Sequence, residues 1–294
     1  MDLRGVFPPL VTPFREDGGL DLSAFASNLE SYASEDLAGY LVLGSNGEAA
    51  SLSFDEKREL IRAARKGAGR RTLLAGTGLE STRATVELTK LAGDLGADAA
   101  LVLTPSYYKP QMTLEALQRH FEAVADASPI PVLLYSVPQF TGLPFPVPLA
   151  AAVAPHPRIA GMKESSGDLE LLGRIVESAP ASFSVLCGSA PILHPALEKG
   201  AVGGVLAVSC CAPRPTAALF RAYVSGGQDR ARRLQEAITP LARAVTATYG
   251  VAGLKAAMEL GGRKGGAVRA PLLPAPASIC EELRPLLARA ESAV

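Results

Sequence analysis

The chain has 294 residues, 48% of them apolar, with 29 basic and 29 acidic side chains that cancel to a formal net charge of zero. That length and apolar content suit one large α/β barrel with a sizeable core. The balanced charge implies no basic face, and a chain without Trp and with 5% aromatic residues offers no stacking platform for bases, so nucleic acid is not an expected partner.

Short Val/Leu/Ile-rich runs alternate with helical patterns from the start of the chain. Strands are expected at Val6–Val11, Tyr40–Leu43, Thr72–Ala75, Ala99–Leu103, Val132–Tyr135, Ile159–Met162, Ser184–Cys187 and Gly204–Val208. They lack polar alternation, as strands covered on both faces do. Helical patterns follow most of them, at Leu22–Ser34, Phe54–Lys66, Ser81–Leu95, Leu114–Ala127 and Leu169–Ser178, with Asp21, Ser53, Ser81, Thr113 and Asp168 at N-cap positions. Eight βα repeats predict a parallel sheet closed into a (β/α)8 TIM barrel; an open doubly wound sheet lacks the G-x-G-x-x-G turn after its first strand. Residues 1–212 are taken as the barrel. Residues 213–294 are taken as a helical C-terminal extension packed on it, with helices at Pro215–Val224, Asp229–Tyr249, Val251–Leu260 and Ser278–Arg289 and a Gly/Pro-rich loop at Gly261–Pro276.

Cys187, Cys210, Cys211 and Cys280 have no C-x-x-C spacing, and His120, His156 and His194 are scattered. The cysteines read as reduced thiols, and no metal site is expected. The segment MDLRGVFPPLVTPF has neither the apolar stretch of a signal peptide nor the Arg/Ser-rich start of a transit peptide. No apolar run is long enough to span a bilayer, so the expected protein is cytoplasmic and has no membrane partner.

Barrel active sites lie at the C-terminal ends of the strands. Of the eight lysines, Lys163 in IAGMKESSGD is the one that directly ends a predicted strand. Among apolar strand residues its ammonium form is poorly solvated, which favours the neutral amine that attacks a carbonyl carbon. The plainer alternative is a strand-end lysine paired with a carboxylate. Tyr135 ends the preceding strand in VLLYSVP. Its phenol can donate and accept a proton beside that lysine, or simply be a satisfied rim tyrosine. Gly44-Ser45-Asn46-Gly47-Glu48 follows the second strand. Its exposed N–H groups could cradle a carboxylate, with the Ser45 hydroxyl as a relay. Glu48 reads as a local structural partner. Tyr107 and Tyr108 in TPSYYKP belong to the mouth or to an interface.

Taken in order, GVFPPLVTPF, GSNGE, AGTG, TPSYY, LYSVP, GMKESSGD, LCGSA and GAVGGVLAV resemble the N-acetylneuraminate lyase and dihydrodipicolinate synthase family of class I aldolases, over roughly Gly5 to Pro274. The resemblance implies that Lys163 forms an imine with the substrate and Tyr135 shuttles protons. It implies that Ser45 links Tyr135 to Tyr107, which in relatives often reaches in from a neighbouring subunit. It places the pyruvyl carboxylate on the N–H groups of Ser45 and Asn46, and Gly188 and Leu206 along the pyruvate pocket. No cofactor beyond the covalent imine is implied, and the assembly is usually a homotetramer, a dimer of dimers.

Two departures bear on the substrate. Dihydrodipicolinate synthases usually carry a doubled threonine where this chain has Ser45-Asn46, and an arginine for the second substrate's carboxylate where VPQFTG places Phe140. A phenyl ring cannot replace a guanidinium. Arg15 or Arg214 could approach the mouth and compensate. GLKAAMELGGRKGGAVRAPL and the motifs above resemble the 4-hydroxy-2-oxoglutarate aldolase branch most, in which the positions of Asn46 and Ser165 are associated with the distal end of the substrate. The expected reaction is cleavage of 4-hydroxy-2-oxoglutarate to pyruvate and glyoxylate. The alternative is dihydrodipicolinate (4-hydroxy-tetrahydrodipicolinate) synthase, or another 2-oxo acid aldolase of the family.

Overall fold

The computed structural model describes residues 1–294. Eight parallel strands line up as β1 (Gly5–Phe7), β2 (Gly39–Val42), β3 (Thr72–Gly76), β4 (Ala99–Leu103), β5 (Val132–Ser136), β6 (Ile159–Glu164), β7 (Ser184–Cys187) and β8 (Gly203–Val205), in the order β1-β8-β7-β6-β5-β4-β3-β2. The seam between β1 and β2 closes outside the regular ladder. Ala38 N–H donates to Val6 O (3.0 Å), Leu41 N–H to Pro8 O (3.0 Å), and Leu10 N–H to Leu41 O (2.8 Å). Pro8 and Pro9 have no N–H to give, so β1 stops at Phe7 rather than running to Val11 as the apolar pattern suggests. Similarly β8 ends at Val205, because the chain tightens into a 3-10 turn at Ala207–Cys210.

The helices between strands are α1 (Leu22–Ser31), α2 (Phe54–Ala68), α3 (Thr82–Asp94), α4 (Leu114–Ala127), α5 (Pro138–Thr141), α6 (Val147–Val153), α7 (Leu169–Ser178) and α8 (Leu193–Glu198). Each N-cap read from the sequence holds: Asp21, Ser53, Ser81, Thr113 and Asp168 accept from the N–H three residues on. Helix α6 carries no such signal; it follows Pro146 with no side-chain cap and was not expected. After the barrel come α9 (Pro213–Val224), α10 (Gln228–Arg243), α11 (Gly250–Leu260) and α12 (Ile279–Glu291). The single helix expected over Asp229–Tyr249 instead passes into a π-helical stretch at Ala244–Thr248. Helix α9, assigned from sequence to the extension, packs on β1 as well as on α10, so it belongs to the helical ring as much as to the extension.

Alternation along the strands divides the core. Leu41, Leu74, Leu101, Leu133, Tyr135 and Leu186 fill the barrel interior. Their neighbours Val42, Ala75, Val102, Leu134, Met162 and Cys187 pack outward against the helices. Lys163 follows Met162, so it falls on the inward set.

Candidate active site

Register brings Tyr135 of β5 opposite Lys163 of β6. The Lys163 amine lies 4.3 Å from the centre of the Tyr135 ring, and the two residues are 4% and 5% exposed. Gly161 lies at the shift in the β5–β6 register that precedes this pair, where Val132 faces Ile159 and Leu133 faces Gly161. It sits at φ 154°, and a Cβ there would stand 2.0 Å from Ser184 O on β7. The Tyr135 hydroxyl in turn meets Ser45 Oγ at 3.2 Å. One strand end, its neighbour and the turn after β2 thus converge as expected.

Three lysines are buried, and their surroundings separate them. Lys57 donates to Leu52 O. Lys255 donates to Thr12 O (2.8 Å) and Ala267 O (2.6 Å) and lies 2.6 Å from Glu48 Oε1. Lys163 has neither a hydrogen bond nor an ion pair within the chain, which removes the alternative of a strand-end lysine held by a carboxylate.

Ser45–Gly47 forms a 3-10 turn entered from extended Gly44. As its first residues, Ser45 and Asn46 have N–H groups with no partner inside the turn. On the far wall, Ser165 is buried and its Oγ has no hydrogen-bond partner. Gly188 is what admits it: a Cβ at Gly188 would lie 1.8 Å from that Oγ. Gln139 Nε2 donates to Ser165 O at 2.9 Å. Beside Lys163, Glu164 is wholly buried and accepts from Ser166 N–H at 2.8 Å; burial pushes its carboxyl pKa up. Leu206 is buried, with its N–H donated to Phe7 O at 3.2 Å and its carbonyl taken by Ser209, so its backbone is already engaged.

Two residues stand apart. Tyr107 is 78% exposed, packs edge-on against Tyr108 with ring centres 5.0 Å apart, and does not join the Ser45–Tyr135 pair within its own chain. Phe140, on α5, is 69% exposed. Both arginines considered for the second carboxylate sit in exposed ion pairs. Arg15 lies 3.4 Å from Asp17 and donates to Leu20 O; Arg214 pairs with Glu291 at 3.4 Å. A surface cleft of about 740 Å³ between the loop after β1 and residues 259–274 is not lined by Lys163. No three His, Cys, Asp or Glu side chains gather as a ligand set, and no helix is long and apolar enough to cross a membrane. The sequence missed Lys255. Its signal was a charge on the otherwise apolar face of GLKAAMEL.

A parallel eight-stranded barrel with an unpartnered lysine at the end of its sixth strand defines a class I aldolase, a carbon–carbon lyase that works on pyruvate or its adducts. The chain belongs to the dihydrodipicolinate synthetase family, whose model matches residues 2–290. It is 38% identical over 271 residues to the 4-hydroxy-tetrahydrodipicolinate synthase of Exiguobacterium sp. strain AT1b, covering 92% of each chain. Its fold matches the dihydrodipicolinate synthase of Thermotoga maritima with a TM-score of 0.94, at 30% identity and 100% coverage of both chains. It also matches the chloride-inhibited dihydrodipicolinate synthase of Acinetobacter baumannii, complexed with pyruvate, with a TM-score of 0.92 at 31% identity, over 98% of this chain and 99% of that one. These relatives carry the activity that the sequence placed second, not that of the 4-hydroxy-2-oxoglutarate aldolase branch.

Proposed function

We propose that the chain is a Schiff-base aldolase that cleaves 4-hydroxy-2-oxoglutarate to pyruvate and glyoxylate through an imine on Lys163, without a metal or other cofactor. The observation that carries the chemistry is the unpartnered amine of Lys163 beside the Tyr135–Ser45 pair. The amine adds to the 2-oxo carbon, water leaves, and the iminium becomes an electron sink. Tyr135 takes the proton of the C4 hydroxyl. The C3–C4 bond breaks, its electrons pass to the iminium, and glyoxylate departs from the resulting enamine. Protonation at C3 and attack by water release pyruvate and restore the amine. The N–H groups of Ser45 and Asn46 hold the pyruvyl carboxylate. The buried Ser165 hydroxyl and Asn46 meet the glyoxylate end. Gly188 and Leu206 line the pocket.

The choice of substrate rests on Phe140. An aspartate semialdehyde partner brings a distal carboxylate, and burying it without a cation is costly. Phe140 supplies no cation, and the side chains of Arg15 and Arg214 are more than half exposed in surface ion pairs with Asp17 and Glu291. The second reading, 4-hydroxy-tetrahydrodipicolinate synthase, is favoured by the shared name of the relatives. The first half of that reaction needs the same groups.

Both reactions are measured on one preparation: pyruvate release from 4-hydroxy-2-oxoglutarate, and condensation of pyruvate with aspartate semialdehyde. The expected kcat/KM is higher for the first. A charge-assisted hydrogen bond contributes roughly 1.5–3 kcal/mol, so Phe140→Arg should raise the second by about 10- to 10²-fold. Efficient condensation by the unmutated chain, with weak glyoxylate release, would replace the first reading by the second.

A further inference from the structure

Leu43 and Glu48 are the two non-glycine residues with positive φ, at 59° and 54°. They bracket the turn Gly44–Gly47. Such a backbone persists at a residue with a Cβ only where its surroundings over-determine it. At Glu48 those surroundings come from the far end of the chain. The carboxylate is buried, with Oε1 2.6 Å from Lys255 Nζ on α11 and Oε2 accepting from Arg269 N–H at 2.9 Å. The Lys255 ammonium donates to the carbonyls of Thr12 (2.8 Å) and Ala267 (2.6 Å). Thr12 Oγ1 then donates to Gly47 O, inside the turn, at 2.7 Å. One buried cation therefore ties together the loop after β1, the turn after β2 and the loop after α11. A buried ion pair is weak evidence for stability alone, since apolar residues of similar volume often serve as well. Its value here is where it holds the backbone.

We propose that Lys255 is a positioning residue for the donor carboxylate: through Glu48 and Thr12 it fixes the turn whose Ser45 and Asn46 N–H groups receive that carboxylate. The proposal rests on the Schiff-base reading and adds that the C-terminal helical extension is part of the site. A turn shifted by about 1 Å should weaken donor capture by about 10- to 10²-fold. The groups that make and break covalent bonds stay in place.

The test is borohydride trapping of pyruvate on Lys163, followed by peptide mass, as a function of pyruvate concentration. Two variants are compared with the unmutated chain. Glu48→Gln keeps the shape and removes the charge. Glu48→Gln/Lys255→Met removes both charges and leaves none buried alone. Circular dichroism and the melting temperature report the fold. The expected result is that both folded variants need at least about 10-fold more pyruvate for half-labelling, yet label fully at saturation. An unchanged half-labelling concentration in either folded variant, or its return to normal in the double variant, overturns the proposal. Absence of labelling in the unmutated chain overturns the Schiff-base reading itself, and this proposal with it.

Discussion

Lys163 and Tyr135 face each other across neighbouring strands because of alternation and register, and the roles proposed for them can be tested separately. With pyruvate and borohydride, a reduced pyruvyl adduct is expected on the peptide containing Lys163. Lys163→Ala should abolish it, and labelling that survives the substitution would place the imine elsewhere. Tyr135→Phe leaves ring and packing intact and removes one hydroxyl. General acid–base groups contribute roughly 10²–10⁴, so kcat should fall by about 10²-fold or more while pyruvate trapping is largely kept. Ser45→Ala should do less, because water can take the place of its hydroxyl. Near-native turnover in Tyr135→Phe would remove the shuttle. At this scale the sequence was informative wherever a rule attaches chemistry to a position. A lysine at a strand end is such a case, and so is Glu48, read from sequence as a structural partner. Lys255 showed in the sequence only as a charge on an apolar face; its role was not legible, because its partners Glu48, Thr12 and Ala267 belong to three segments that meet only in the fold.

Elements carry the site by their ends, and α2 shows how an end can serve two purposes. Ser53 and Glu56 form a reciprocal capping box at its start. The same Glu56 carboxylate is gripped by the Arg269 guanidinium, at 2.8 Å and 2.6 Å. Chiefly the Arg269 hydrogen bonds, and then the Ser53 N–H, lower the Glu56 pKa from 4.5 to about 2. A depressed carboxylate pKa contributes stability that is complete above the unfolded value and is lost as pH falls through the folded one. Glu56→Gln should therefore be less stable than the unmutated chain at neutral pH, with the gap closing between pH 4.5 and about 2. Urea midpoints across that range check this, and a gap that stays constant with pH would deny Glu56 the role. Strands β4 and β7 were legible to the residue, being apolar runs with clear turn signals at both ends. Helix α6 was not: PVPLAAAV has no polar cap, and only the proline in its first turn marks its start.

The closed barrel positions everything above, and its mouth carries an exposed tyrosine pair that a lone chain leaves unused. The family resemblance implies a homotetramer, and a large exposed aromatic group suits an interface core. The chain is expected to sediment at four times its mass of 30.5 kDa. Tyr107→Ala should leave the circular dichroism unchanged, loosen that assembly and lower kcat. A monomer with full activity would remove both the assembly and the role of Tyr107. Barrel closure has another consequence, for synthesis on the ribosome. Strand β1 pairs with β8 through Gly5 and Gly203, and the turn after β2 is locked by Lys255 and Arg269. The parts made first thus wait for the parts made last, in a topology of high contact order. A nascent chain that already holds Lys163 but lacks α11 also lacks the Lys255 that meets Glu48 at the end of that turn. The order of synthesis thereby leaves the turn after β2 unlocked until α11 and the loop that follows it have been made.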